Sequence, residues 1–401
     1  MKMATLKLCL PVIAVTAQQN VAGLIVPPFL QSAEFPVAMI GSLISLGPVL
    51  ALASRIPSGL AYTDKRARAL MSLALLAMAA SNFLYSYAVT SLTFAVVHGL
   101  NGFAYGAVTT LYLAFYIGSL PPDEDRNHAM GYYAGSLALG YSTGNFLAGF
   151  IADRFGYEAT FQLAALLSLL CAGLLFTLKR SAALSETKKK EGGSPRPNLN
   201  WLQSLKAAWE PKLAAVAVVA LFLNLLHQMA NVFLPLYGLA VGLTLTQVGV
   251  IKGFYALCNA ITRPISGLVV KRLGHRRLSY GGLPIQSAFV MLIPFTADFL
   301  TLLIVHVSAG FIRAVAIVSN SISLVQETDE TRVPRGVSSG LYNAAGDLGN
   351  IVGPSMGGLI ASVTGVANLF LVGPMATAVL FFFSLWACRF IRPRTTEPKA
   401  G

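Results

Sequence analysis

Charged side chains are scarce in this chain: Asp, Glu, Lys and Arg together make up 11% of its 401 residues, against about 25% in a soluble domain. That shortage excludes a globule bathed in water. Acids are the scarcer sign, 16 against 29 Lys plus Arg, so carboxylate pairs for acid–base or metal chemistry have few residues to draw on. Cysteine is rare too. Cys9, Cys171, Cys258 and Cys388 stand singly in or at the ends of apolar runs, which leaves them as small hydrophobes with no metal-ligand spacing. No G-x-x-x-x-G-K-[ST] phosphate loop occurs, and no Ser/His/Asp set that one site could hold. The expectation is therefore no enzyme, no cofactor and no metal, with any transport work drawn from a gradient.

What is abundant is oil. The chain is 55% hydrophobic, with a mean hydropathy of +0.66. Apolar runs of about 20 residues, the length that crosses hydrocarbon, recur near 8–30, 37–62, 69–88, 92–118, 129–151, 159–178, 213–237, 247–270, 279–297, 299–324, 337–362 and 367–390. Barrel strands would alternate over about 10 residues instead. The fold class expected is an all-α polytopic membrane protein with twelve transmembrane helices. The first run follows Lys2 and Lys7 as a signal peptide would, but it continues past Gln18, Gln19 and Asn20 to Leu30, so it is read as a span.

The net charge of +13 would suit a nucleic acid, but its distribution points elsewhere. With the N-terminus cytoplasmic, Lys65, Arg66, Arg68, Arg126, the 179–212 cluster, Lys271, Arg272, Arg276, Arg277, Arg332 and Arg335 all fall inside, and only Arg154 falls outside. This positive-inside bias puts both termini in the cytoplasm of a cell (inner) membrane and leaves no role for nucleic acid.

The chain also repeats. "SRIPSGLAYTDKRAR" from Ser54 matches "TRPISGLVVKRLGHRR" from Thr262, an offset of 263 − 55 = 208. Pro27 and Pro235, Gly41 and Gly249, Gly59 and Gly267, His98 and His306, and Gly102 and Gly310 keep that offset. From Gly131 and Gly336 onward it becomes 205, as in Gly144-Asn145 and Gly349-Asn350. A doubled six-helix unit keeps both copies in the same orientation, and transporters so built bind substrate between the halves near mid-membrane. The expected domains are an N-terminal bundle over 1–178, a cytoplasmic linker over 179–212, a C-terminal bundle over 213–390 and a tail over 391–401. Within the linker, Trp201, Leu202, Leu205 and Trp209 fall at helical spacing and suggest an amphipathic helix on the inner leaflet, with a docking site for a cytosolic partner as the alternative.

These two Arg-Pro-Ser-Gly elements, the linker between sixes and "GNIVGPSMGG" from Gly349 resemble the major facilitator superfamily over essentially the whole chain. The resemblance implies two six-helix bundles related by a pseudo-twofold axis, and alternating access. In that family the loop between helices 2 and 3 reads roughly Gly-x-x-x-Asp-Arg-x-Gly-Arg-Lys and recurs between helices 8 and 9. Here Asp64 sits one residue late, and the second copy keeps Gly274, Arg276 and Arg277 but has Lys271. The resemblance implies gating roles for Arg55, Asp64, Arg68, Lys271 and Arg276. Arg263 has a second reading, because "NAITRPISG" is similar to the Arg-Pro of anion carriers. Drug–proton antiporters of the family carry arginine where "HGLNGFAYG" has His98, and a proline in helix 5 that "GYSTGNFLAGF" lacks.

Three intramembrane charges belong to the second half alone: Lys252, Arg313 and Asp347, whose first-half counterparts are Ile44, Tyr105 and Ser142. A charge inside the bilayer is costly and marks function by default. At 1.5 Å rise per residue, Arg313 and Asp347 sit at similar depth. They either neutralise each other as a buried pair or serve as a gate that an anion or a proton opens. Around them Gln18, Gln19 and Asn20, their mates His227 and Gln228, Asn231, Asn101, Tyr105, Tyr255 and Asn343 form a polar collar. His98 and His306 are read as helix–helix hydrogen bonders, with proton relay by His98 as the alternative.

The function expected is alternating-access secondary transport of a small organic anion, a carboxylate, with or without proton coupling. Arg313, Lys252 and Arg263 would hold the anion; Asp347 would carry the proton. The alternative is an exporter of drugs, siderophore-like or amphipathic lipid compounds; a non-transporting receptor is a third reading. The expected partners are a small-molecule substrate and membrane lipid, with the chain working as a monomer.

Overall fold

Long apolar runs leave the backbone no water to bond, so the chain must satisfy itself along each segment. The computed structural model describes residues 3–63, 65–120, 125–177, 210–296, 298–331, 333 and 335–390, and regular structure among them is helical throughout. The helices are α1 (Met3–Ser32), α2 (Val37–Ala61), α3 (Ala67–Leu84), α4 (Ser91–Ser119) and the segment Arg126–Thr177, then α7 (Pro211–Ala240), α8 (Leu245–Leu273), α9 (His275–Met291), α10 (Phe299–Thr331), α11 (Arg335–Thr364) and α12 (Val366–Cys388). Arg126–Thr177 is broken at Gly156, whose φ of 80° and ψ of 178° are not helical; α5 precedes this glycine and α6 follows it. Eight of the segments are long and apolar enough to cross a membrane on their own composition. The helices outside that set are α4, α8 and α11, the more polar or glycine-rich ones. The linker, its Trp201–Trp209 stretch, the tail and Asp64 lie outside the described residues.

The duplication is visible in the backbone. Thr90 and Asp298, 208 apart, both cap a helix. The Thr90 hydroxyl accepts from the Thr93 N–H, and the Asp298 carboxylate accepts from Thr301, Thr93's mate, at 2.9 Å. The turn from α1 to α2 uses Glu34 at φ 63°, where the turn from α7 to α8 uses Gly242 at φ 85°. Glu34 is the sole non-glycine with positive φ among the described residues, so the second copy relieves a strain that the first retains.

Packing repeats as well. α1 lies on α5 and α2 on α4; six helices on, α7 lies on α11 and α8 on α10. Between the bundles, α2 meets α11 and α5 meets α8. Both contacts begin at the end carrying the 33–36 and 241–244 turns. There the Gly41 face is so close to α11 that an added Cβ would fall 2.9 Å from the Gly358 Cα, and a Cβ on Gly249 would fall 3.2 Å from the Gly149 Cα. At the opposite end Arg55, Ile56 and Leu60 of α2, and Arg263, Ile265 and Leu268 of α8, are exposed. The bundles are closed at the turn end and open at the other.

Candidate functional site

Halfway along the second bundle, α7, α8 and α10 turn polar side chains toward one another. Arg313 of α10 is 7% exposed and donates from Nη2 to Asn224 Oδ1 of α7 at 2.9 Å. Asn224 is fixed in turn by its Nδ2, which bonds the Ala220 carbonyl at 2.8 Å. Lys252 of α8, equally buried, donates to the Asn231 carbonyl at 3.2 Å. Neither cation has an ion-pair partner among the described residues. Buried charge is retained only when something compensates it, and here the described partners are neutral: amide and carbonyl oxygens, with the Tyr255 hydroxyl beside Arg313.

Aromatic and imidazole rings fill the space between. His227 and Tyr255 stack with centroids 5.3 Å apart and planes 6° off parallel, and the Tyr255 hydroxyl lies 3.0 Å from His227 Nδ1. Tyr255 also stands against Asn259 and Arg313, and its ring lies 4.7 Å from that of His306. Nearby, Asn231 Nδ2 donates to Gln228 Oε1 at 3.3 Å. The whole assembly is rich in donors and positive charge.

The first bundle contributes a different wall. Tyr105, the mate of Arg313, lies beside Tyr133, Tyr141 and Arg55. Arg55 of α2 crosses to the other bundle and pairs with Asp347 of α11 at 2.5 Å. The reading that Arg313 and Asp347 neutralise each other is thus corrected: Asp347 is taken by a cation from the opposite half. Arg313 is left to polar neutral groups.

At the closed end a second device joins the bundles. Both oxygens of Asp153, near the end of α5, accept backbone N–H groups at the start of α8, from Leu245 at 2.9 Å and Thr246 at 2.6 Å. A carboxylate suits a helix N-terminus, where free N–H groups and the helix dipole present positive potential. Across the axis, Ser45 of α2 bonds the Ile351 carbonyl at 2.7 Å and receives Ser355 at 2.7 Å.

The sequence profile of the Major Facilitator Superfamily matches residues 8–332 and, in an overlapping second match, 228–401. The chain belongs to the major facilitator superfamily. An uncharacterized MFS-type transporter of Methanocaldococcus jannaschii is 21% identical over 290 residues, covering 72% of this chain and 73% of the relative. Multidrug resistance protein 2 of Bacillus subtilis is 23% identical over 248 residues, 61% of this chain and 60% of its own. The synaptic vesicular amine transporter of Mus musculus is 27% identical over 248 residues, 61% of this chain and 46% of its own. The crystal structure of the nucleoside transporter NupG superposes with a TM-score of 0.82 at 14% identity, covering 98% of this chain and all of that one. A bacterial homolog to the human lysosomal transporter Spinster, in an inward-facing and unoccupied conformation, gives 0.78 at 13%, covering 97% of each. These likenesses bear out the two-bundle fold and a transporter rather than an enzyme.

Within this major-facilitator frame the sequence-predicted residues divide. Arg313, Lys252, His227, Gln228, Asn231 and Tyr255 come together. Arg263 is exposed on α8, with its charge bearing on His227. Gln19 and Asn20 lie half-buried on α1; Asn20 bonds the Thr16 carbonyl at 2.9 Å. Asn101 sits elsewhere, in a buried knot with Ser81 and Asn82, which in turn bonds Gln18 at 2.7 Å. Asn343 is exposed and donates to Ser339. His98 has both ring nitrogens occupied, by the Tyr85 hydroxyl at 2.7 Å and the Ile44 carbonyl at 3.1 Å, the helix–helix arrangement read from its duplication. Of the gating set, Arg68 stands 5.9 Å from the Phe115 ring centre, Arg276 bonds Glu327 at 2.6 Å and Lys271 is exposed. Asn224 and Asp153 were not singled out from the sequence. Asn224 had one signal, the polar mate Thr16; Asp153 had only its rarity as an acid.

Proposed function

We propose that this major-facilitator chain moves a small organic anion, a carboxylate, by alternating access across the cell (inner) membrane. One observation carries the reading: Arg313 and Lys252 are buried in one bundle without a carboxylate partner among the described residues. An anion supplies what they lack, and a cation entering the same space meets repulsion. The positive-inside bias makes the open end cytoplasmic, so the protein is inward-facing, with both termini inside and the linker joining bundles over 1–178 and 213–390. Asp347 is the carboxylate for proton coupling. Its protonation would release Arg55 and loosen the bond between halves.

A second reading has one specific support. Multidrug and amine transporters are among the relatives, and the phenols of Tyr105, Tyr133 and Tyr141 would suit amphipathic cargo. Proteoliposome uptake separates the two. Wild-type vesicles under an inward pH gradient are expected to accumulate labelled carboxylates and not amines, with uptake lost in Arg313→Gln and Lys252→Gln. Carboxylate uptake by those variants at the wild-type rate, or uptake of amines alone, overturns the proposal.

A further inference from the structure

The two halves are copies, so each position in one is a control for its mate. In the first half α2 and α4 are in direct contact: a Cβ on Gly102 would fall 2.6 Å from the Gly47 Cα, and one on Gly106 would fall 2.7 Å from the Ala51 Cα. That closeness lets His98 reach the Ile44 carbonyl. In the second half the mates of Gly47 and Ala51 are Tyr255 and Asn259. Gly310, the mate of Gly102, faces the Tyr255 ring and Asn259 side chain rather than backbone. The α8–α10 seam is therefore held apart by these two side chains and lined with polar groups.

Those groups are not satisfied. Asn259 Nδ2 and Oδ1, His306 Nδ1 and Arg313 Nε are buried and make no hydrogen bond of good geometry among the described residues, although the Tyr255 hydroxyl lies beside Asn259; the side chains are 8%, 4% and 7% exposed. Buried polar atoms normally find partners, and the first half shows that this seam can close without any. An open amide both donates and accepts; beside an arginine, it matches an anion carrying a hydroxyl. We infer that Asn259 and His306 are specificity residues that read a hydroxyl next to the carboxylate of the cargo, making the substrate class a hydroxy-carboxylate. This rests on the proposed anion reading and adds to it a preference within anions.

The test uses matched probes: propanoate against 2-hydroxypropanoate, and hexanoate against its pentahydroxy counterpart. Each is titrated against the purified full-length protein by thermal shift and then counterflow. A site built to hydrogen-bond a hydroxyl discriminates strongly against the analogue that lacks one, so wild type is expected to favour at least one hydroxylated acid by about tenfold or more. Asn259→Leu and His306→Phe, which keep volume and ring packing, are expected to lose that preference while still binding the plain acids. Equal binding of both members of each pair by wild type overturns the inference and leaves the anion reading standing. So does a preference that survives in both variants, which would mean the open atoms are met by water alone. No response to any carboxylate overturns both.

Discussion

The Arg55–Asp347 pair allows a prediction whose asymmetry is set by burial. Its atoms are 2.5 Å apart, but the side chains differ in exposure, 45% for Arg55 and 17% for Asp347. With charge centres roughly 4 Å apart, an effective dielectric of 20 gives about 4 kcal/mol of attraction. Water at Arg55 and the desolvation of Asp347 reduce that to a net coupling of about 1–2 kcal/mol. The single variants are not equivalent. Asp347→Asn frees an arginine that already reaches water, at a cost of about 0.5–1 kcal/mol. Arg55→Gln strands a carboxylate in a half-dry site, at a cost of about 2 kcal/mol.

Since the pair joins opposite bundles, the loss falls on this closed-turn-end conformation and not on either bundle alone. Spin labels across the open end, read by pulsed dipolar spectroscopy, would report the ratio of the two conformations. Arg55→Gln should shift that ratio by about thirtyfold and Asp347→Asn by about two- to fivefold, with the double variant less than the product, since each 1.4 kcal/mol is a factor of ten. Additive effects, or an Asp347 variant more damaging than its partner, would refute the assignment of the pair as a tie between the halves.

Asp153→Ala leaves the Thr244 cap of α8 in place but removes the carboxylate that accepts from Leu245 and Thr246, and should cost about 1 kcal/mol, raising the accessibility of a cysteine placed at the closed end about fivefold toward an impermeant thiol reagent; no change would dismiss the carboxylate as a lock. Glu34→Gly relieves a left-handed backbone and should gain about 0.5–1 kcal/mol after the added freedom of the unfolded chain, while Gly242→Ala should lose about 1–2 kcal/mol. Thermal denaturation in detergent would compare them, and a loss of stability in both would refute the equivalence of the two turns.

The fold was legible because lipid makes it so. Without water to bond, apolar runs had to become helices, and the 208-residue offset between Arg55 and Arg263 points by itself to two bundles. The break between α5 and α6 was placed near residue 151–159 by the same run lengths, and Gly156 marks it. The cross-bundle contacts were not legible. Asp347 could be assigned a depth from its place in the run, but depth does not give a direction around the helix, and the partner that depth suggested was Arg313, not Arg55. Asn101 illustrates the same limit. It lay on a helix expected to line the path, yet it faces α3 and closes a knot with Asn82, because an amide in oil takes the nearest amide whichever way that lies.

The asymmetry between halves has a mechanical consequence. A rocking transporter must bind cargo in a way that does not prevent the two bundles from parting. If cations of both halves clasped one anion, each cycle would need to break strong bonds in oil. Here the first bundle has Tyr105 and Ile44 at the positions where the second has Arg313 and Lys252, so under the proposed anion reading the charged grip belongs to one body and the matching positions of the other are uncharged. The ties that do cross are placed so that motion can release them: Arg55 is open to water on one side, and Asp153 binds N–H groups that solvent can satisfy once the turn end opens. Duplication supplied the scaffold for this arrangement, and under the proposed function the positions where the copies disagree, Tyr105 against Arg313 and Ile44 against Lys252, mark the bundle that holds the cargo's charge.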